Sequence, residues 1–203
     1  MELVVATRNR DKFTEIKTLL NDLPLQALSL NNFKDVPEVK EDGLTFEANA
    51  KKKAIQTSRF LKRLVISDDS GLEVEVLRGK PGVYSARFSG KGATYASNNR
   101  KLLGLLKDTP LYKRKAQFRC VIAIADRGKI VGVREGRCKG RIGFKSVGET
   151  GFGYDPIFIP YGYKRTFAQL GAYKKNKISH RKRALVKAKK VIKRYCSSQQ
   201  RSR

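Results

Sequence analysis

The chain has 203 residues, which is enough for one large domain or for two lobes that share a core. Its apolar runs are short, so none reaches the ~20 residues that a membrane-spanning helix needs, and the first residues lack the pattern of an export signal. Three scattered cysteines, Cys120, Cys138 and Cys196, argue against a disulfide framework and against a zinc site. We therefore expect a cytoplasmic protein with no membrane partner.

The charge balance is strongly basic, with 45 Lys and Arg against 18 Asp and Glu and a formal net charge of +27. Residues 164–203 contain fifteen Lys and Arg and no Asp or Glu. Such a field attracts polyanions, so a basic nucleic-acid-binding protein is one interpretation, and a solvated basic surface is another. No recognised binding motif accompanies the charge. We therefore expect no specific nucleic-acid partner.

Hydrophobic periodicity predicts alternating strands and helices in the first half of the chain. In order, we expect a strand over 3–6, a helix over 11–20, a loop or edge strand between 24 and 37, a helix from 45 to about 63, strands over 64–67 and 71–77, and a loop over 78–92. Thr45 is a residue type that caps helix starts.

The second half predicts a helix over 96–106, a hairpin of strands 118–125 and 129–137, a turn-rich segment over 148–163, and a final helix capped by Ser179. Residues 197–203 have the composition of a flexible, frayed tail. Alternation followed by a hairpin predicts an α/β fold with a mixed sheet. We place a single domain at 1–196.

Two adjacent carboxylates, Asp68 and Asp69, follow a short apolar run. Like charges so close raise each other's pKa unless a cation separates them, and a divalent metal ion is the simplest such cation. The carboxylate that the metal does not use can take a proton from water. The alternative is an Asp-rich turn whose side chains bind their own backbone.

Two further segments suit phosphate. The first is Thr7-Arg8-Asn9-Arg10-Asp11-Lys12, where a predicted strand leads into a helix whose N-terminal N–H groups can bind an anion. The second is the predicted helix face that Asn49 and Lys53 share, four residues apart. Ordinary helix capping in the first segment and an exposed helix face in the second are the alternatives.

Two later segments could contact a nucleotide: the first suits a nucleobase, and the second lies at the anion-attracting start of the last predicted helix. Phe152 and Tyr154 offer flat faces for stacking, which is worth ~1–3 kcal/mol per base in single-strand binders, and Asp155 offers an acceptor. Core packing beside a turn is the alternative for these aromatic residues. His180, the only histidine in the chain, begins the last predicted helix; a surface histidine is the alternative there.

Six motifs occur in one order from Thr7 to Arg181: T-x-N-x-x-K, G-x-x-F-x-x-N-A-x-x-K-A, D-D-S-G-L-x-V, G-x-P-G-x-Y-S-A-R, F-G-Y-D-P and I-S-H-R. Together they resemble the inosine/xanthosine triphosphate pyrophosphatase family, the dITP/XTP diphosphatases that act on non-standard purine nucleotides. The resemblance covers nearly the whole chain, and six ordered motifs are far more specific than any one of them.

The resemblance implies hydrolysis of ITP, dITP and XTP to the monophosphate and pyrophosphate with Mg²⁺, which cleanses the nucleotide pool. It implies Glu41 and Asp68 as metal ligands, Asp69 as the base that activates water and as a further ligand, and Asn49 and Lys53 as catalytic groups. The residues that it places around the substrate are Thr7, Arg8, Asn9, Arg10, Asp11, Lys12, Ser70, Phe152, Gly153, Tyr154, Asp155, Lys175, His180 and Arg181.

The resemblance also implies an elongated two-lobed domain, with helices flanking a twisted sheet, a central cleft, and assembly as a homodimer. A donor from Lys175 or Arg181 would satisfy the 6-keto group of the base, whereas the 6-amino group of adenine would leave that donor unpaired. A related pyrophosphatase for other modified nucleotides is the alternative among enzymes.

Overall fold

In the computed structural model, which describes residues 2–201 and the side chains of residues 2–199, strands and helices alternate before a long hairpin. The strands are β1 (Glu2–Val5), β2 (Gln26–Ser29), β3 (Leu64–Val74), β4 (Lys115–Asp126), β5 (Lys129–Ile142) and β6 (Phe158–Pro160). The helices are α1 (Arg10–Leu19), α2 (Phe46–Leu61), α3 (Tyr95–Leu105), α4 (Phe167–Ile178) and α5 (His180–Arg201).

The six strands form one sheet in the order β2-β1-β3-β4-β5-β6. Strand β1 is parallel to both β2 and β3, whereas β5 and β6 are antiparallel. The predicted α/β fold with a mixed sheet is therefore confirmed. In the β1–β3 register Val5 lies opposite Ile66. Because parallel strands end at the same edge of a sheet, this register brings the loop after β1 beside Asp68 and Asp69.

The chain divides into two compact units. The first unit consists of Met1–Asp69, Cys120–Gly136 and Arg181–Arg203, and the second unit of Ser70–Arg119 and Arg137–His180. Each has its own core of buried apolar side chains. Strands β3, β4 and β5 contribute residues to both units.

The structure differs from the prediction at several places, one of which is β6, a short strand inside the segment predicted as turns. The strands predicted over 64–67 and 71–77 merge into one strand, β3, which continues through Gly71 and ends at Val74, and residues 75–77 form a short 3-10 helix instead. Helix α4 was not predicted; Gly171, at φ +75°, breaks its regular geometry and so its apolar period. The frayed tail expected over 197–203 is helical as far as Arg201, and residues 202 and 203 lie outside the described residues.

Local capping explains where the helices of the site begin. The Asn9 side chain accepts a hydrogen bond from the Lys12 N–H at the start of α1, and Thr45 does the same for the Ala48 N–H in α2. Both helices begin within one residue of their predicted starts. Within residues 2–201, no helix combines the length and the apolarity that crossing a bilayer requires.

Candidate active site

Asp68 lies at the centre of a buried ion cluster in the first unit. Its Oδ1 is 2.7 Å from Lys12 Nζ, and its Oδ2 is 3.0 Å from Arg181 Nε. The Cys120 thiol donates to the same Oδ2 at 3.0 Å, and Arg181 also pairs with Glu15. Burial alone would raise the pKa of Asp68, but the charges of Arg181 and Lys12 outweigh burial and hold the pKa well below its ordinary value.

This cluster joins three elements of the first unit. Asp68 comes from β3, Lys12 and Glu15 from α1, and Arg181 from α5. Two cations face two carboxylates, so the buried charges balance. Because each oxygen of Asp68 is held by a cation, this carboxylate sets the positions of α1 and α5.

Asp69, the next residue, has different surroundings because successive side chains of a strand point to opposite faces. It is only 5% exposed, and burial, with a contribution from the charge of Glu41, raises the pKa of Asp69 to about 6. The charges of Lys12 and Lys53 and a hydrogen bond from Asn49 act in the opposite direction. Asp69 is therefore a buried acid whose pKa lies close to neutral pH.

Helix α2 brings Asn49 and Lys53 to the loop that carries Glu41. The Asn49 Oδ1 accepts from the Gly43 N–H at 2.7 Å, and its amide donates to the Gly43 carbonyl at 3.3 Å. A Cβ at position 43 would lie 2.7 Å from the Asn49 Oδ1, so this contact requires glycine. The Lys53 ammonium pairs with the Glu41 carboxylate. Asn49 thus connects the Glu41 loop to Asp69.

The segment after β1 forms the start of α1. The Thr7 hydroxyl accepts from the Asn9 N–H at 3.2 Å, and the Asn9 Oδ1 accepts from the Lys12 N–H at 3.0 Å. These two side chains therefore fulfil the capping interpretation. The start of α1 beside Lys12 has the geometry of an anion-binding site.

The other charged residues of this segment, Arg8, Arg10 and Asp11, are all exposed. Arg8 donates to the Val36 carbonyl at 2.9 Å. Arg8, Arg10 and Lys17 line an open cavity of about 530 Å³. Arg8 therefore binds the chain's own backbone.

In the second unit, the turn over 151–155 is built around Asp155. Its Oδ2 accepts from the Phe152 N–H at 2.9 Å and also pairs with the buried Lys175 ammonium. The same ammonium lies 4.3 Å from the centre of the Phe152 ring. Gly151, at φ +81°, is required because a Cβ there would lie 2.3 Å from Asp155 Oδ2. The half-buried Phe152 ring is thus held by the backbone turn and by the cation.

Tyr154 and His180, both expected beside the base, make contacts within the second unit instead. Tyr154 is 4% exposed, packs in the core of the second unit, and donates its hydroxyl to the Ser85 carbonyl at 2.9 Å. Burial raises the pKa of Tyr154. His180 is buried and stacks on Phe118 with ring centres 4.7 Å apart. The core-packing alternative therefore holds for Tyr154, and the surface alternative for His180 is wrong.

Three contributors lie outside the six motifs: Glu15, Cys120 and Asn99. Asn99, buried in α3, donates to the Gly153 carbonyl at 3.0 Å and so ties α3 to the Phe152 turn. An asparagine inside a helix is an available signal, since Asn disfavours helix interiors. The sequence signal for Glu15 is weaker: it lies three residues after Lys12 on α1, and residues at this spacing share a helix face.

The remaining expected residues are placed as follows. Ser70 is half-buried at the start of the second unit's part of β3, and Gly153 has φ +62° in the turn. Arg181, expected beside the nucleoside, has its guanidinium bound to Asp68 and Glu15. In the part of the chain that the structure describes, no group of three or more His, Cys, Asp and Glu side chains is arranged to hold a metal ion.

The model of the Ham1 family matches residues 3–191. A dITP/XTP pyrophosphatase from Desulforamulus reducens is 49% identical to this chain and covers 96% of each sequence. One from Shouchella clausii is 48% identical over 94% of this chain and 96% of that protein. The solved structure of a HAM1 protein from Coxiella burnetii superposes with a TM-score of 0.86 at 36% identity, over 96% of this chain and 99% of that one. Similarity in sequence and in fold therefore extends over nearly the full length.

Proposed function

The chain belongs to the Ham1 family, and we propose that it hydrolyses the non-standard purine nucleoside triphosphates ITP, dITP and XTP to the monophosphate and pyrophosphate. This reaction cleanses the nucleotide pool. The relatives named dITP/XTP pyrophosphatase support the substrate class. The single observation that carries the chemistry is Asp69, a buried carboxyl with a pKa of about 6 in the field of Lys12 and Lys53.

Asp69 acts as the general base. With a pKa of about 6 it is mostly ionised at neutral pH and is a stronger base than an ordinary aspartate. The Asp69 carboxylate takes a proton from water, and the water oxygen forms a bond to the α-phosphorus. The bond from that phosphorus to the bridging oxygen breaks, and pyrophosphate leaves. Lys12 and Lys53 offset the charge that develops on the leaving group.

Glu41 and Asp69 fit a Mg²⁺ ion. The charge of Glu41 raises the pKa of Asp69, so the two carboxylates share a region in which a cation would stabilise both. Mg²⁺ is commonly held by one or two carboxylates together with substrate phosphates and water, so a larger acidic cluster is not needed. When bound, the ion would neutralise phosphate charge and acidify the attacking water.

Asp68 is not one of the proposed metal ligands, although the sequence resemblance implied that role. Its two oxygens are held by Lys12 and Arg181, so a metal there would have to displace a buried ion pair. Glu41 would exchange its lysine partner, Lys53, for the ion. We assign Asp68 to positioning Lys12 and α5.

Base recognition belongs to the turn of the second unit. Phe152 offers a face for stacking, and an ammonium has three donors, so Lys175 can donate to Asp155 and to a 6-keto oxygen together. Adenine presents an amino group at that position and would leave the buried donor unpaired. We do not propose Arg181 as a donor to the base, because its guanidinium binds Asp68 and Glu15.

A nucleotide panel with pyrophosphate detection tests this function. We expect Mg²⁺-dependent release from dITP, ITP and XTP, poor release from ATP and GTP, and loss of activity when the metal is chelated. Lys53→Ala should lower turnover, whereas Lys51→Ala, on the same helix but paired with the partly exposed Glu47, should not. Equal rates on ATP and ITP would contradict the assignment of the base site.

We further propose that the active protein is a cytosolic homodimer. Assembly as a dimer rests on the family resemblance. A reducing compartment is supported by the free thiols of Cys120, Cys138 and Cys196. Light scattering in solution should give twice the mass of one chain, and the mass of a single chain would exclude the dimer.

A further inference from the structure

Helix α5 presents a row of exposed cations along one face. Lys187, Lys190, Lys193 and Arg194, hereafter the α5 stripe, are all exposed. Their spacings of three and four residues place them on the same side of the helix. The sequence of α5 contains no Asp or Glu over its 22 residues. The stripe is therefore a continuous positive surface without acidic residues from its own helix.

The opposite face of α5 is used by the fold. Ala184, Leu185, Ala188 and Ile192 are buried in the core of the first unit. A helix that lies in a membrane interface must insert its apolar face among the lipids. Because that face of α5 is packed inside the protein, charge is what the helix offers to a partner.

Neighbouring carboxylates bind other residues of α5. Asp22 pairs with Lys189, and Asp126 accepts the Tyr195 hydroxyl at 2.7 Å. Lys187 donates to the backbone carbonyl of Glu135 at 2.8 Å, a contact that leaves the lysine charge in place. The charge of Lys193 reaches Asp22 and lowers the pKa of that acid only as a small contribution beside Lys189. The stripe thus keeps most of its positive charge.

We propose that the α5 stripe binds the phosphate backbone of double-helical nucleic acid without sequence preference. The stripe rises ~10 Å along the helix axis at 1.5 Å per residue, and a duplex carries about one negative charge per 1.7 Å. Each of the four cations can therefore meet a phosphate. The interaction is an addition to the nucleotide hydrolase and uses none of its residues.

A duplex is favoured over a single strand because the helix supplies no stacking surface. Proteins that bind single strands combine cations with exposed aromatic side chains. Tyr195, the aromatic residue near the stripe, is partly buried and hydrogen-bonded to Asp126. Phosphate contacts without base contacts carry no sequence information.

Fluorescence anisotropy of a labelled 20-base-pair DNA duplex tests the proposal with the full chain and no nucleotide present. Affinity should fall steeply as salt rises from 50 to 200 mM. The variant K187Q/K190Q/K193Q/R194Q should bind at least about tenfold more weakly at 50 mM salt. Its plot of log affinity against log salt should be shallower by up to about 3.6, since each lost phosphate contact removes about 0.9 from the slope.

The matched control removes the same charge from exposed positions of the second unit: K91Q/R100Q/K107Q/K113Q. It should keep most of the affinity and of the salt slope. An equal loss in both variants would show that net charge alone drives binding and would overturn the proposal. The double variant K190Q/R194Q, with a slope change of about 1.8, gives the same test with less perturbation of the helix.

Two further outcomes would also overturn the proposal. One is a wild-type chain that does not bind the duplex at 50 mM salt. The other is binding to phosphatidylserine vesicles without binding to the duplex, which would make a membrane surface the partner. Pyrophosphate release from ITP, measured for each variant, reports separately on folding and on the hydrolase.

Discussion

Each compact unit buries one carboxylate against a lysine, but the two ion pairs have different consequences. In the first unit, Asp68 binds Lys12 and a second cation, Arg181, so that charge is balanced beside the proposed base. In the second unit, Asp155 binds Lys175 and the Phe152 N–H, so that a turn is held in shape. The same kind of Asp–Lys ion pair therefore balances charge in the first unit and fixes the shape of a turn in the second. The third group that each pair contacts, a cation or a backbone N–H, makes the difference.

The same lesson applies to the two adjacent aspartates. Cations hold the pKa of Asp68 well below its ordinary value, whereas burial and Glu41 raise the pKa of Asp69 to about 6. Two residues of the same type, next to each other in the chain, therefore have opposite electrostatic roles.

Asp68→Asn should cost ~3–5 kcal/mol of unfolding free energy, because it leaves two cations of a buried cluster facing the single charge of Glu15. Urea denaturation measures the loss. Asp22→Asn, which removes an exposed partner of Lys189, is the control and should cost at most ~1 kcal/mol. Similar losses for both variants would show that the cluster is not a stabilising centre.

Asp69→Asn should lower kcat at least ~10²-fold, as loss of a general base does, which is about 2.7 kcal/mol in the barrier. It should not destabilise the fold above pH 6. The folded pKa of Asp69 exceeds the unfolded value, so its contribution to stability is present below about pH 4 and is lost as pH rises through about 6. Near-normal turnover would remove Asp69 from the role of base.

The sign is opposite for Asp68. Its folded pKa lies below the unfolded value, so its stabilising contribution is present above about pH 4 and is lost as the pH falls toward the folded pKa. Urea denaturation of both variants between pH 4 and pH 8 distinguishes the two linkages. The stability gap between wild type and Asp69→Asn should change across this range, whereas the gap for Asp68→Asn should remain.

Lys175→Ala should narrow the ratio of kcat/KM for ITP over ATP by about tenfold, since a charge-assisted hydrogen bond to the keto group would be lost. Lys177→Ala, an exposed lysine two residues away, is the control. Steady-state kinetics on both nucleotides measures the ratio. An unchanged ratio would show that Lys175 does not select the base and serves only as the partner of Asp155.

Asn99→Ala should lower kcat/KM for ITP about fivefold by removing one hydrogen bond, ~1 kcal/mol, from the Phe152 turn. Most of the change should appear in KM, because the turn is the proposed contact of the base. Asn98→Ala is the comparison: Asn98 binds the Ala86 carbonyl at 3.1 Å and does not bind the turn. A KM effect of equal size in both variants would show a general effect on α3.

A shift in the midpoint of the acid limb of the pH–rate profile should be the smallest effect. In wild type, kcat/KM should fall tenfold per pH unit as Asp69 becomes protonated, with a midpoint below about 6 when Mg²⁺, which favours the ionised carboxylate, is bound. Lys53→Met should move this midpoint upward, because the charge of Lys53 lowers the pKa of Asp69. Lys51→Met should leave it in place. A midpoint unaffected by Lys53 would indicate a different titrating group.

Local patterns were sufficient for most of the fold. The alternating apolar runs and the caps at Asn9 and Thr45 placed β1, α1 and α2 within about one or two residues of their observed bounds. Helix α4 was not predicted, because Gly171, with its left-handed backbone, interrupts the hydrophobic period of the helix. The length of β3 was not predicted, because the strand continues through Gly71 as part of the sheet, against the local preference of glycine.

Fold class and family follow from the sequence alone, because they depend on short hydrophobic periods and on motifs in a fixed order. The contacts that each candidate site residue makes are visible only in the folded chain. Arg181 reaches Asp68 from 113 residues away, and Tyr154 turns into the core although it lies in a motif that was expected to bind the base. The physical reason is that charge interactions depend on distance and burial in space, and neither quantity is encoded by separation along the chain.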